Sequence, residues 1–234
     1  MIRIISIFII GAGLLACSSV NTLSVSSRTE KLNDSVPLNS HIDSLISPYK
    51  DSLSSEMNVV IAEAPTDFVV GRPGSNLGNW VADAIFSNQT RTVRLSEPVF
   101  VLLNTGGLRA SLNKGTITIG DIFKLMPFDN ELVWVKLPMD VLPEIQSYLL
   151  KTGGEPISNA QVEKGVLTIN GGKESATHFW VITSDYLKNG GDKMMFFSKS
   201  EDVILTGKVM RDCLIDEARE QGVLIEDSVK RITF

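Results

Sequence analysis

The sequence predicts one α+β (mixed α/β) domain of layered sheets and helices, spanning about residues 40–234. Three observations predict it. The chain has 234 residues, 43% of them apolar, so it is long enough and apolar enough to bury a real core. A uniformly apolar run, Pro98 to Leu103, reads as a strand buried on both faces, and it follows an amphipathic helical stripe behind Ser75. Strand and helix patterns then mix without strict βαβα alternation. Composition also excludes. A net charge of −5, from 22 basic and 27 acidic residues, leaves no electrostatic footprint for nucleic acid. Two His and two Cys, far apart, argue against a self-contained zinc enzyme and against a disulfide-built fold.

At the N-terminus, Arg3 precedes an apolar run from Ile4 to Leu15 and then Ala16-Cys17-Ser18-Ser19. The run is too short for a bilayer core of roughly 30 Å and has the form of a secretory signal. Leu14-Leu15-Ala16-Cys17 resembles the bacterial lipobox, which implies cleavage before Cys17 and acylation of that residue. The expected organisation is a signal peptide over 1–16, a flexible tether over 17–39 rich in Ser, Asn and Thr, and the folded domain from 40. The expected location is the cell envelope, lipid-anchored on a periplasmic or outer-membrane face. With a signal directly ahead of tether and domain, the chain is expected to stand alone rather than be clipped from a longer one. Cys213 shares a helix face with Val209, Met210 and Leu214 and reads as a small buried hydrophobe.

Within the domain, Ile42, Leu45 and Ile46 recur at helical spacing until a turn at Ser47-Pro48, and Val59 to Ala62 is a short strand. Leu77, Trp80, Val81, Ala84 and Ile85 form one stripe of the helix that Ser75 caps. Asp121 is expected to cap a short helix ending at Pro127, Glu131–Leu137 is a strand, and Asp140 is expected to cap a helix carrying Leu142, Ile145 and Leu149. Gly165–Ile169, Phe179–Thr183 and Val229–Phe234 favour strands, with a helix from about Leu205 to Glu220 before the last.

Four polar, glycine-containing loops end apolar elements, where sites are usually built. Arg72, ahead of the Ser75 helix, could serve an anion site or simply face solvent beside an ordinary cap. Asn104-Thr-Gly-Gly-Leu-Arg109 could let backbone approach a ligand, with Arg109 pairing a phosphate, or be a tight turn. Phe128, in Met126-Pro-Phe-Asp-Asn130, is core by default or a stacking surface. Asp192, in Tyr186-Leu-Lys-Asn-Gly-Gly-Asp192, could accept hydrogen bonds from ligand hydroxyls or be structural. Together the loops supply cations, flat rings and acceptors, the groups a nucleotide needs.

Four ordered motifs, Leu77-Gly-Asn-x-x-x-Asp-Ala84, Asn104-x-Gly-Gly-x-Arg109, Pro127-Phe-x-Asn130 and Tyr186-x-x-x-Gly-Gly-Asp192, resemble the C-terminal, substrate-binding domain of the 5'-nucleotidase / UDP-sugar hydrolase family. The resemblance extends over nearly all of residues 40–234. It implies that Phe128 and Tyr186 sandwich a base, that Asp192 contacts the nucleoside, and that Asn104 and Arg109 bind base and phosphate. It also makes Arg72 the nearest candidate for a second phosphate-binding arginine. Two departures stand out: Gly74 where the family often has an acid, and Lys193 where a glycine usually follows Gly-Gly-Asp.

In that family the chemistry belongs to a separate metallophosphatase domain that binds two divalent metals through Asp, His and Asn clusters. This sequence has no Asp-x-His, Gly-Asn-His-Glu or Gly-His-x-x-His string, and its two histidines, His41 and His178, lie far apart. No catalytic residue and no cofactor is therefore expected in this chain; the divalent metals are expected in a separately encoded metallophosphatase. The expected function is the nucleotide-binding half of a split 5'-nucleotidase, inactive alone. The alternative is a non-catalytic envelope lipoprotein that captures nucleotides or nucleosides. The expected partners are a nucleotide or nucleoside, that phosphatase, and the membrane through the lipid.

Overall fold

A computed structural model describes residues 25–30, 39–93, 96–172 and 175–234. Cys17, residues 1–16 and most of residues 17–39, on which the expectations of a signal peptide, a lipid anchor and a tether fall, lie outside the described residues. The chain divides into two compact units, Met1–Leu45 and Ile46–Phe234. Of the first, residues 25–30 are exposed and form no helix or strand, and residues 40–45 begin helix α1 (Ser40–Met57). That helix does not stop at Ser47-Pro48 as expected. It continues through Pro48, giving up only the one backbone bond that proline cannot donate.

The second unit is organised by a five-stranded sheet, in the order β5 (Ile157–Ser158), β2 (Val99–Leu102), β8 (His178–Ser184), β4 (Glu131–Pro138), β9 (Asp202–Val209). Two smaller antiparallel pairs accompany it, β1 (Val60–Ala64) with β3 (Gly115–Thr118), and β6 (Ala160–Glu163) with β7 (Val166–Ile169). All four residues of β2 are buried, because both faces of the sheet are covered. Val99 and Val101 face one core with Trp134 and Ile182, where α2 (Asn76–Thr90) and α6 (Met210–Gln221) pack. Phe100 and Leu102 face the other with Val133, Val135 and Val181, covered by α4 (Leu142–Thr152), β6, β7 and Phe197. Each such Val, Leu or Phe contributes about 1.5–3 kcal/mol by leaving water. The run's uniform apolarity has this cause.

Sheet direction places the loops. β2 runs parallel to β8, while β4 runs antiparallel to β8, β5 antiparallel to β2 and β9 antiparallel to β4. The C-terminal ends of β2, β8 and β9 and the N-terminal ends of β4 and β5 therefore share one end of the sheet. There Leu102 pairs with Ile157, Leu132 with Ser184, and Glu131 with Val209.

Four local expectations are corrected. Thr118, not Asp121, is the N-cap of α3 (Ile119–Leu125), and Asp121 completes its capping box from the first turn. Asp140 lies in a 3-10 turn, Met139–Val141, and caps nothing by its side chain; α4 begins after it with Pro143 in its first turn. Residues 205–209 belong to β9 rather than to the following helix, because pairing with β4 extends the sheet. The tail 229–234 forms a single bridge, Val162 with Ile232, rather than a strand.

Other groups hold that tail. Asn79, 4% exposed, donates through Nδ2 to the carbonyls of Asp227 and Val229, each at 2.9 Å. Arg231 reaches Asp83 at 2.5 Å, the Ile157 carbonyl at 2.8 Å, and the Asp227 carboxylate. Burial opposes the charge of Arg231, but Asp83 and Asp227 outweigh it and hold the guanidinium protonated. The Leu-Gly-Asn motif thus has a structural role, in which its asparagine ties the C-terminus to α2. Asn79→Ala leaves two carbonyls without their donor and should lower stability by about 1–3 kcal/mol in urea unfolding.

Candidate functional site

The shared end of the sheet carries a cavity of about 330 Å³, lined by Asn104, Gly106, Gly107, Arg109, Phe128, Asn130, Tyr186 and Asp192. The volume lies within the range of small-molecule sites. Each residue arrives on its own element. Asn104 leaves β2 and opens the 3-10 turn Thr105–Gly107. Phe128 and Asn130 lie on the turn between α3 and β4, and Tyr186 lies on α5 (Asp185–Lys188), directly after β8. Asp192 follows on a 3-10 turn, Gly191–Lys193.

Asp192 is the hub of the polar contacts. Its carboxylate accepts from Asn104 Nδ2 at 2.7 Å and from the Tyr186 hydroxyl at 2.9 Å. The Tyr148 hydroxyl donates to its backbone carbonyl at 3.1 Å. Burial, then the charges of Glu155 and Asp192, push the Tyr148 phenol up to about 12, so it remains a donor at neutral pH. The backbone is bent to achieve this. Asp192 and Lys193 both take left-handed conformations, φ +49° and +65°. A side chain on Gly191 would meet the Tyr186 ring at 2.4 Å. The glycine that the family usually has at the Lys193 position suits that φ without strain.

Phe128 and Tyr186 are 41% and 46% exposed, which removes both from the core and leaves flat apolar surfaces open to solvent. Arg109 lies with its guanidinium carbon 5.9 Å from the Phe128 ring centre. It donates to the Gly106 carbonyl at 3.3 Å, and among the described residues no carboxylate pairs with it. A free cation, two open rings and a carboxylate held by neutral donors therefore share one cavity. Such a lining fits a ligand with an anionic group, a planar ring and hydroxyls.

Five of the six residues singled out in the sequence line the cavity; Arg72 does not. Its Nη2 pairs with Glu155 at 2.5 Å and its Nε donates to the Gly154 carbonyl at 2.9 Å. Glu155 is 3% exposed, and its other oxygen accepts from the Thr105 N–H at 2.6 Å and hydroxyl at 2.8 Å. Arg72 thus neutralises the buried carboxylate that holds the Asn104 loop. Sequence reasoning missed Glu155 and Tyr148, which carry no local signal. Asn130 was legible in Pro-Phe-x-Asn but not singled out.

A larger hollow, about 700 Å³, opens at the other end of the sheet around Glu97, Asn159, Asn170, Thr177 and His178. It contains none of the four ordered motifs. His178 starts β8 and bonds Glu201 and Thr177, each at 2.8 Å. Cys213 is buried, and burial pushes its thiol up to about 11, as suits a packing residue. Among the described residues no three His, Cys, Asp or Glu side chains form a group able to hold a metal, and no helix is long and apolar enough to cross a membrane.

Comparison with known proteins accords with this geometry. Residues 60–143 match the family model of the 5'-nucleotidase C-terminal domain. The chain is 31% identical over 104 residues to "Endonuclease YhcR" of Bacillus subtilis (strain 168), covering 43% of this chain and 8% of that protein. It is 27% identical over 117 residues to the 5'-nucleotidase of Vibrio parahaemolyticus, covering 48% and 19%. The solved 5'-nucleotidase precursor of Thermus thermophilus superposes with a TM-score of 0.67 at 22% identity, covering 84% of this chain and 43% of that one. The chain thus spans less than half the length of these relatives. The segment similar to the 5'-nucleotidase C-terminal domain contains the Asn104, Arg109 and Phe128 loops, and the superposition shows that most of the chain shares the fold of that Thermus protein.

Proposed function

We propose that this chain is the nucleotide-binding, substrate-specificity half of a 5'-nucleotidase-type phosphoester hydrolase. The observation that carries this reading is a cavity in which Arg109, with no carboxylate partner among the described residues, meets the open rings of Phe128 and Tyr186 and the Asn104–Asp192 pair. Arg109 takes the phosphate, the two rings take the base, and Asn104 and Asp192 take base edges or nucleoside hydroxyls. Arg72 acts at one remove, through Glu155 and the Thr105 backbone. The metal-dependent attack on the phosphoester belongs to a separately encoded metallophosphatase. In support, the solved Thermus 5'-nucleotidase has more than half of its chain outside the superposed region, room enough for a metal-bearing unit. Cys17 carries a lipid that anchors the protein in the cell envelope.

Calorimetry with AMP, adenosine and ribose 5-phosphate tests the division of labour. Phe128→Ala and Tyr186→Ala should each weaken AMP and adenosine by about 1–3 kcal/mol, as stacking losses do elsewhere. Arg109→Ala should weaken AMP and ribose 5-phosphate while adenosine binds as before. Unchanged affinities in both ring variants would remove the base site.

Mixed with Mg, Mn or Zn ions alone, the purified chain should leave AMP intact, and turnover should appear when the candidate phosphatase is added. Metal-dependent hydrolysis by the chain alone would refute the division of labour. Tight nucleotide binding that no phosphatase converts to turnover would instead indicate a capture lipoprotein.

Cys17→Ser should move the protein from the membrane to the soluble envelope fraction. Persistence in the membrane would count against the lipid anchor.

A further inference from the structure

Arg211 is the second residue of α6, and its side chain is only 10% exposed. The guanidinium carbon lies 4.0 Å from the Phe123 ring centre. From that stacked position it reaches three groups on the turn Met126–Asn130. Nη2 bonds the Asp129 carboxylate at 2.5 Å, and Nη1 lies 3.4 Å from the carbonyl oxygens of both Met126 and Phe128. The preceding residue holds the turn's far end, the Met210 N–H donating to the Asn130 carbonyl at 2.9 Å. The turn has no helix or strand of its own, yet it presents Phe128 and Asn130 to the cavity.

A second observation separates Arg211 from ordinary packing. Its Nε is buried and finds no hydrogen-bond partner among the described residues. A buried N–H without an acceptor costs stability, whereas a methionine there could lie on Phe123 without that cost. As packing alone, an arginine is a poor choice at this position. As a planar fork it can grip three acceptors in one fixed geometry, which neither methionine nor lysine can do.

We propose that Arg211 is a positioning residue of the ligand site: its grip on the Met126–Asn130 turn fixes the Phe128 ring over the cavity and so sets affinity for ligands with a planar ring. The proposal rests on the nucleotide-binding reading. Arg211 itself lies outside the cavity lining and touches no ligand.

The test uses the full chain, with adenosine and ribose 5-phosphate as probes and hydrogen exchange of residues 126–130 as a readout that needs no ligand. Arg211→Met should keep the unfolding temperature near that of the parent or above it. It should speed exchange in the turn and weaken adenosine about tenfold. Ribose 5-phosphate should bind unchanged, and adding Phe128→Ala should produce no further tenfold loss. Parental exchange in the turn, or equal losses for both probes, would overturn the proposal. If Phe128→Ala weakens adenosine while Arg211→Met does not, the positioning role falls and the nucleotide site stands. If the parent chain binds neither probe, the nucleotide reading fails first and this inference goes with it. Should Arg211→Met not fold, Asp129→Asn removes one gripped group at a position that is 79% exposed, and the same outcomes apply to it.

Discussion

Everything at the site depends on β2 being buried on both faces. A strand whose alternate residues enter two cores cannot slip by one position without exchanging Val99 and Val101 for Phe100 and Leu102 between differently shaped cavities. That locks its register against β8 and β5. Strand directions then do the rest: three strands finish and two begin at one end of the sheet. Asn104, Phe128, Glu155, Tyr186 and Arg211, far apart in the chain, all arrive there. The opposite end receives His178, Pro98 and Pro138.

Behind the loops lies a set of polar and charged groups outside the cavity lining. Glu155 holds the Asn104 loop by two bonds to Thr105 and is neutralised by Arg72. Arg211 holds the Phe128 turn, and Tyr148 holds Asp192. Loops of this kind carry few backbone bonds of their own, so side chains from neighbouring elements supply the fixation that a ligand otherwise imposes on binding. Arg109 is different in kind. It is exposed and has no carboxylate partner among the described residues. Two arginines that look equivalent as residue types are thus separated by their neighbours alone.

The division between cavity and support bears on how such a site can change. Substitutions in the lining alter which groups meet a ligand. Substitutions at Glu155 or Arg211 alter how firmly those groups are held, and do so without touching it. The left-handed Asp192–Lys193 backbone belongs with the second class. It aims the carboxylate at Asn104 and Tyr186, and its conformation is disfavoured for side-chain-bearing residues unless the surroundings enforce it.

Much of this was legible in the residues. The Pro98–Leu103 run announced a strand buried on both sides, and Ser75 capped the expected helix by accepting from the Gly78 N–H. The ordered motifs named five residues of one cavity before any geometry was available. Failures fell where local pattern and tertiary contact compete. Residues 205–209 could continue the following helix by composition, but β4 offered an edge to pair with, and ladder hydrogen bonds outweigh weak local preference. The tail 229–234 has strand composition, yet it meets β6 only in the one bridge at Val162 and is otherwise tied to the side chains of Asn79 and Asp83, so it stays irregular. Arg72 and Arg109 had the same chemistry and similar loops. Only folding put Glu155 beside one of them, because a buried carboxylate must find a cation and hydrogen-bond donors wherever the chain brings them. Residue types and spacing thus determined which chemistry this protein could hold; the sheet's strand directions and the pairing of buried charges decided which of those residues face a ligand and which hold the others in place.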